Sequence, residues 1–318
     1  MGRRVAASAC AAALRRRRRV GRGVAASRRA FRRRRGGVSQ ASDAAAMMEG
    51  GFMEKRESGC GQERERERGR ECEAAMTLAR RAYLYNLLHV VFGGAPSREG
   101  VAAMFGEQGR DVLEAVRDEL GRDGFQRVAR HQVGSSGRSA AACMDEACAC
   151  VRKSAASAGD EAFIEALASD YARLFQVPGA SYVHPWESPY VGKESMVFQE
   201  STLDVRSFYH EAGFKLRAEK HFPDDHIAAM MDYLGRTSQR AYEAYADGRD
   251  GEVRQTLAVQ GRFLDRHLLT WVDAFASAVI QKDGRAFYAA FAGTLAAFAR
   301  MDRAAAARLE EELTAQED

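Results

Sequence analysis

Proline and long apolar runs are both scarce in this chain of 318 residues. It contains only five prolines, and no stretch is apolar over the length that a membrane-spanning helix needs. No segment of useful length alternates apolar and polar residues in the pattern typical of a half-buried strand. We therefore predict an all-α protein without stable membrane insertion, and the apolar content of 46% is sufficient for a sizeable core.

The sequence also lacks the motifs of several common enzyme classes. It has no Gly-x-Ser-x-Gly nucleophile elbow, no Gly-x-x-x-x-Gly-Lys phosphate loop and no cysteine with an evident histidine partner. Four side chains that could bind a metal do lie close together, at His221, Asp224, Asp225 and His226. The order Asp-His is the reverse of the His-Asp pair that HD-type hydrolases need. We predict no enzymatic activity, no metal and no cofactor, with a metal-dependent hydrolase as an alternative.

Cysteines are few and form no disulfide framework. They lie at positions 10, 60, 72, 143, 148 and 150, which favours a reducing compartment and a cytoplasmic location. Cys143, Cys148 and Cys150 lack Cys-x-x-Cys spacing, so we interpret them as small apolar residues and not as a metal site. The surrounding residues 134–160 are rich in Ser, Ala and Gly, which predicts a loop or a weak helix.

Acidic residues are absent from residues 1–38, which contain fourteen arginines and no lysine. Removing these fourteen charges from the net charge of +4 leaves −10 for residues 39–318. A body of that charge favours cationic partners, so we predict no nucleic-acid partner, with a nucleic-acid-binding tail as an alternative.

Residues 1–75 offer almost no aromatic side chains for burial, which predicts a disordered extension. The sequence Ser27-Arg28-Arg29-Ala30-Phe31 is similar to a twin-arginine export motif, but four arginines follow it in place of an apolar stretch. We interpret the match as coincidental. A start codon assigned upstream of the true one, at Met47, Met48, Met53 or Met76, would explain the extension.

Helical periodicity is clear from Met76 onward and predicts one helical domain over residues 76–318. Two loops rich in proline, aromatic and acidic residues lie within it, at 184–190 and 221–227, on either side of a helical segment at 201–214. Aromatic and methionine side chains near these loops suit an apolar ligand, and the carboxylates suit arginines. Such a groove is the complement of a peptide in which two arginines precede an apolar stretch.

Five short motifs occur in one order along the chain. They are Tyr171-x-x-Leu174-Phe175, Pro185-Trp186-Glu187-Ser188-Pro189-Tyr190, Gly213-Phe214, Pro223-x-Asp225-His226-Ile227 and Phe263-Leu264-x-x-His267-Leu268-x-x-Trp271. Over about residues 76–300 this order resembles the TorD/DmsD family of cytoplasmic chaperones for molybdoenzymes. The resemblance implies a single multi-helix bundle that binds the twin-arginine signal peptide of a molybdopterin-dependent oxidoreductase subunit, and holds the apoenzyme until its cofactor is inserted.

The resemblance also implies which residues bind the signal peptide. In the first loop, which we call the signature loop (residues 184–190), these are Trp186, Glu187, Ser188, Pro189 and Tyr190. Asp225 and His226 match the pair implicated in signal-peptide recognition, and Tyr83 or Tyr85 on the first helix matches an aromatic residue that lines the same groove. We expect Glu187 and Asp225 to attract the arginines of the peptide.

Two departures from the family pattern bear on these expectations. Met230 stands where family members often carry an acidic residue four positions after the histidine, and the arginine-rich extension is foreign to the family. An assembly chaperone of the nitrate-reductase type, which shares the fold but binds its client outside a signal peptide, is the main alternative. Whether the chain is a monomer or a homodimer formed by exchange of helices stays open.

Overall fold

The computed structural model describes residue 17 and residues 53–192, 200–216 and 223–315. The sequence at 27–31 and all other residues of the segment 1–38 except Arg17 lie outside this part. The described residues form helices and no strand, which confirms the all-α prediction. None of these helices combines the length and the hydropathy needed to cross a bilayer.

The described helices fall into two groups along the chain. The first group is α1 Met53–Gly93, α2 Arg98–Phe105, α3 Glu107–Leu120, α4 Gln126–Ala129, α5 Ala140–Ser154 and α6 Glu161–Tyr171. The second is α7 Ser188–Val191, α8 Glu200–Glu211, α9 Ile227–Ala246, α10 Asp250–Phe263, α11 Leu269–Lys282 and α12 Phe287–Thr314. A π-helical turn at Ala172–Gln176 extends α6, and another at Leu264–Leu268 joins α10 to α11.

The first helix begins upstream of the predicted domain boundary. It starts at Met53 instead of near Met76, and it includes the Glu-Arg repeats, whose alternation places opposite charges three residues apart on an exposed helix surface. Ala74, Ala75 and Leu78 are buried in a second, smaller core between α1, α9, α10 and α12. The boundary expected between residues 75 and 76 therefore falls inside a continuous helix.

Helix α12 is the centre of the bundle. Every residue from Phe287 to Ala299 is buried, and the helix packs against α1, α5, α10 and α11. A helix that is apolar on all sides needs neighbours on all sides, which explains its central position.

The α5 segment is a helix, so of the loop and the weak helix predicted at 134–160 the structure shows the helix. Ser139 caps it, because its hydroxyl accepts a hydrogen bond from Ala142 N at 3.2 Å. Cys143 and Cys148 are buried on its inner face, as expected for small apolar residues. Burial raises the pKa of the Cys143 thiol to about 11, which keeps it protonated and unreactive at neutral pH.

A buried polar network joins α1, α10 and α12. Arg81 Nε donates to Asp302 Oδ1 at 2.5 Å, and its Nη2 donates to Gln260 Oε1 at 2.8 Å. The hydroxyl of Tyr85 donates to Asp302 Oδ2 at 2.7 Å. Charge pairing and hydrogen bonds together offset the cost of removing Arg81 from water. This position also explains why Tyr85, an alternative to Tyr83 as a site residue, faces the core.

Gly293 permits the closest approach of α12 to α5. A Cβ atom at this position would lie 2.8 Å from both Cβ and Sγ of Cys143. We expect Gly293→Ala to lower the free energy of unfolding by about 1–3 kcal/mol, because the two helices would have to move apart. Urea denaturation of the full chain measures this change.

Gly69 provides the matched control, since it is also helical and a Cβ there meets nothing within 4 Å. Gly69→Ala should stabilise the protein by up to about 1 kcal/mol through helix propensity. The same sign of change for both variants would contradict the close packing of α5 and α12.

Candidate functional site

The signature loop and the start of α9 pair directly with each other. Trp186 and His226 form an isolated antiparallel bridge. Glu187 N donates to Asp225 O at 3.1 Å, and Ile227 N donates to Pro185 O at 2.8 Å. The structure thus brings together the site residues predicted in the signature loop and the Asp225-His226 pair, although about forty residues separate them in the chain.

Asp225 faces the interior and holds the signature loop. It is fully buried, and its Oδ2 accepts hydrogen bonds from Ser188 N at 2.8 Å and from the Ser188 hydroxyl. Ser188 is the first residue of α7, so this carboxylate satisfies a backbone donor at the helix N-terminus from another part of the chain. The other carboxylate oxygen, Oδ1, is buried without a hydrogen-bond partner among the described residues.

Glu187 also points inward, toward His267. Its side chain is 2% exposed, and its Oε2 lies 3.0 Å from His267 Nδ1. Burial raises the pKa of Glu187, while the contact with His267 acts in the opposite direction. The second ring nitrogen of His267, Nε2, lies 3.1 Å from Asp204 Oδ2. The imidazole therefore sits between two carboxylates.

His226 is the N-cap of α9. Its Nδ1 accepts a hydrogen bond from Ala228 N at 3.1 Å, which satisfies a backbone donor in the first turn of the helix. Burial, with a smaller contribution from His89, lowers the pKa of His226 to about 4. The ring is therefore neutral at physiological pH.

An aromatic strip leads from the signature loop to α9. Neighbouring ring centroids are 4.9 Å apart for Tyr182 and His184, 6.4 Å for His184 and Trp186, and 5.4 Å for Trp186 and His226. The first three of these side chains are partly exposed. The strip consequently offers ring edges and faces to a ligand, while the polar residues beneath it are buried.

The remaining predicted residues occupy different surroundings. Tyr190 stacks on Trp271 with ring centroids 5.2 Å apart and donates a hydrogen bond to His184 O at 2.9 Å. Pro189 is partly exposed in α7. Tyr83 is partly buried against the main core. The α1 side chain that reaches the start of α9 is His89, whose Nδ1 lies 2.9 Å from Ala228 O.

One π-helical turn precedes the signature loop, and the other contains a residue that contacts it. The first, Ala172–Gln176, directly precedes the approach to the loop, and Leu174 O accepts a hydrogen bond from Val183 N at 2.7 Å. The second, Leu264–Leu268, contains His267. The extra residue in a π turn shifts the direction of the following side chains, and such turns are frequent at functional sites.

Sequence reasoning missed three residues of this region: His89, Asp204 and His267. The last of these was quoted in a motif but was given no role. A histidine at an apolar position of a helix needs a buried polar partner, and that requirement could have pointed to the glutamate of the signature loop.

Asp225 and His226 have separate hydrogen-bond partners, and His221 of the cluster considered for a hydrolase lies outside the described residues. Within the described ranges, no group of three His, Cys, Asp or Glu side chains is arranged to hold a metal ion.

Comparisons with known proteins place this region in context. Residues 138–277 match the family model of the nitrate reductase delta subunit. The chain is 32% identical over 139 residues to Chaperone protein TorD of Photobacterium profundum, a match that covers 43% of this chain and 62% of the relative. It is 28% identical over 136 residues to Chaperone protein TorD of Vibrio atlanticus and 29% identical over 140 residues to that of Aliivibrio fischeri, with the same two coverages.

The chain therefore spans less than two thirds of the length of these relatives. The matched region of the family model contains the signature loop, the start of α9 and His267. The names of the relatives describe chaperones and not enzymes, in agreement with the prediction from the missing catalytic motifs.

The neutral state of His226 predicts a loss of stability in acid. Its folded pKa of about 4 lies below the ordinary value of 6.5, so between these values the unfolded chain binds a proton that the folded chain does not. The stabilisation is complete above pH 6.5 and is lost as the pH falls toward 4. We expect the titration of His226 to lower the free energy of unfolding by about 2 kcal/mol between pH 7 and pH 5.

His226→Asn keeps a cap acceptor and removes the titrating ring, so this share of the acid sensitivity should disappear. Urea denaturation at pH 7 and at pH 5 measures the free energy of unfolding of the variant and of the wild type. His210→Asn, at an exposed position of α8, is the control and should leave the pH dependence as in the wild type. An unchanged pH dependence in His226→Asn would show that the ring is not buried as a neutral cap.

Proposed function

Since the family model and the TorD relatives support the TorD/DmsD family for this chain, we propose that the protein is a maturation chaperone for a redox enzyme. Its client is a molybdopterin-dependent oxidoreductase subunit. The chaperone binds the twin-arginine signal peptide, the apo form of that subunit, or both, in the cytoplasm before export. Occupancy of the signal peptide delays export until the cofactor is inserted, and no chemical step by the chaperone is needed.

The pairing of Trp186 with His226 is the observation that carries this proposal. It places the partly exposed Trp186 beside the start of α9, next to Tyr182 and His184 in the aromatic strip. A rigid, partly exposed aromatic surface suits the apolar helical part of a signal peptide, because large rings contribute contact area with little loss of side-chain entropy.

The site residues divide into two roles within this proposal. Trp186, Pro189 and Tyr190 are partly exposed and contact the client. Ser188, Asp225 and Glu187 are buried and position the loop through their hydrogen bonds. Tyr83 has a partly buried ring on α1 and stays a predicted contact of the same groove.

The attraction of client arginines by Glu187 and Asp225 stays a prediction. Both carboxylates face the interior, with 2% and 0% of the residue surface exposed. A client arginine would reach either one only after the loop had moved away from α9.

Trp186 supplies the direct test. We expect Trp186→Ala to weaken binding of a twin-arginine signal peptide by at least about tenfold, as is typical when a central aromatic contact is removed. Calorimetric titration of the full chain with signal peptides of molybdoenzymes measures the affinity. The fold should persist, because Trp186 is only partly buried.

Tyr242→Ala is the matched control, since Tyr242 is also a partly buried aromatic residue but lies near the opposite end of α9. It should leave the affinity unchanged. Equal affinities for wild type and Trp186→Ala would remove the aromatic strip from the binding surface.

A second candidate function follows from the match of residues 138–277 to the nitrate reductase delta subunit model. In this case the chaperone assembles a redox enzyme subunit by binding its mature part. Titration with the apo subunit, with and without its signal peptide, separates the two candidates. Equal affinity for both forms would favour assembly, and loss of binding without the signal peptide would favour signal-peptide recognition.

A further inference from the structure

Asp204 on α8 is a carboxylate near the signature loop that solvent reaches. Its side chain is 25% exposed, whereas Glu187 and Asp225 are 2% and 0% exposed. Its Oδ2 lies 3.1 Å from His267 Nε2 and 2.5 Å from Arg266 Nε. A chain of polar contacts thus runs from the surface through Asp204 and His267 to Glu187 in the loop.

His267 is the buried neighbour of this carboxylate. Its side chain is 2% exposed, and Nε2 points toward Asp204 without a well-oriented hydrogen bond among the described residues. The opposite nitrogen is held by Glu187 at 3.0 Å. The buried imidazole therefore lies between Glu187 and Asp204 and lines the inner side of the Asp204 carboxylate.

Arg266 covers Asp204 from the solvent side. Its side chain is 65% exposed, so the ion pair is screened by water and contributes little to stability. The guanidinium group of an arginine from another chain could bind Asp204 in the place of Arg266. The exchange of one arginine for another would leave the buried partners of Asp204 undisturbed.

We propose that Asp204, backed by His267, is an arginine-binding site for the client peptide, and that Arg266 occupies it until the client arrives. The proposal rests on the proposed function and names the residue that receives an arginine of the signal peptide. The ligand is a guanidinium group, whose planar donors can pair with both oxygens of a carboxylate, which a lysine ammonium does less well.

Two variants with opposite expected effects test the site. Asp204→Asn should weaken binding of a peptide that carries Ser-Arg-Arg-x-Phe before an apolar segment by about tenfold, because a charged acceptor is lost. Arg266→Ala should strengthen binding by about two- to fivefold, because the competing surface ion pair is removed. Calorimetric titration of the full chain at low salt measures both affinities.

A second peptide with both arginines replaced by alanine separates this site from apolar binding. Neither variant should alter its affinity. Asp265→Asn is the matched control, since Asp265 is adjacent to Arg266 in the chain, is 52% exposed and pairs instead with Arg303. It should behave as the wild type with both peptides.

The outcomes distinguish this site from the proposed function. If the wild type binds the arginine peptide and Asp204→Asn binds it equally well, the arginine site is wrong and signal-peptide binding stands. An equal loss in Asp204→Asn and Asp265→Asn would show attraction by the overall acidic surface instead of a site. No binding of either peptide by the wild type contradicts the proposed function, and the arginine site with it.

Circular dichroism monitors folding of the variants. If Asp204→Asn fails to fold, Arg266→Ala still decides the question, because it changes a largely exposed side chain and is expected to strengthen binding. Weaker or unchanged binding of the arginine peptide by Arg266→Ala would overturn the proposal.

Discussion

Two buried carboxylates hold the signature loop on the helical body, and the geometry of the candidate site depends on them. Asp225 accepts both hydrogen bonds of Ser188, and Glu187 contacts the imidazole of His267. Burial raises the pKa of Glu187, and the nearby Asp225 adds to this effect, because a neighbouring negative charge disfavours ionisation of the Glu187 carboxyl group. His267 offsets this repulsion. Removal of any one partner would leave a buried charge or donor uncompensated, so these residues act as one unit.

The contact between Glu187 and His267 illustrates why periodicity alone gave an incomplete description of the site. Apolar spacing correctly predicted helices on both sides of His267 and an all-α fold. The π turn at Leu264–Leu268 interrupts that spacing, and no local residue pattern identifies it. The partner of His267 lies eighty positions away, so only the folded chain shows that the two meet. The position of Asp204 beside the same ring was not predicted either, because Asp204 and His267 are also far apart in the chain.

Two differences between the expected and the observed elements have local causes. The α5 helix is short of large apolar residues, and small Ala and Cys side chains bury it only because Gly293 lets α12 approach closely. The early start of α1 was missed because alternating Glu and Arg are typical both of low-complexity segments and of exposed helices. The Asp225-His226 pair was found by its resemblance to a family motif. The family resemblance did not show that Asp225 is buried and supports the signature loop, or that His226 caps α9.

The division between a buried support and an exposed surface is consistent with reversible binding. Within the proposed function, the aromatic strip contributes most of the affinity, and the exchange of Arg266 for a client arginine at Asp204 adds a smaller part, because the exposed ion pair that it displaces is weak. Such an exchange still adds specificity, since a peptide without arginines would have to leave Arg266 in place and pack beside it. The rigid loop also costs little entropy on binding, because its buried hydrogen bonds already order it. Within the proposed function, a chaperone that must release its client gains from this combination of apolar contact and arginine recognition.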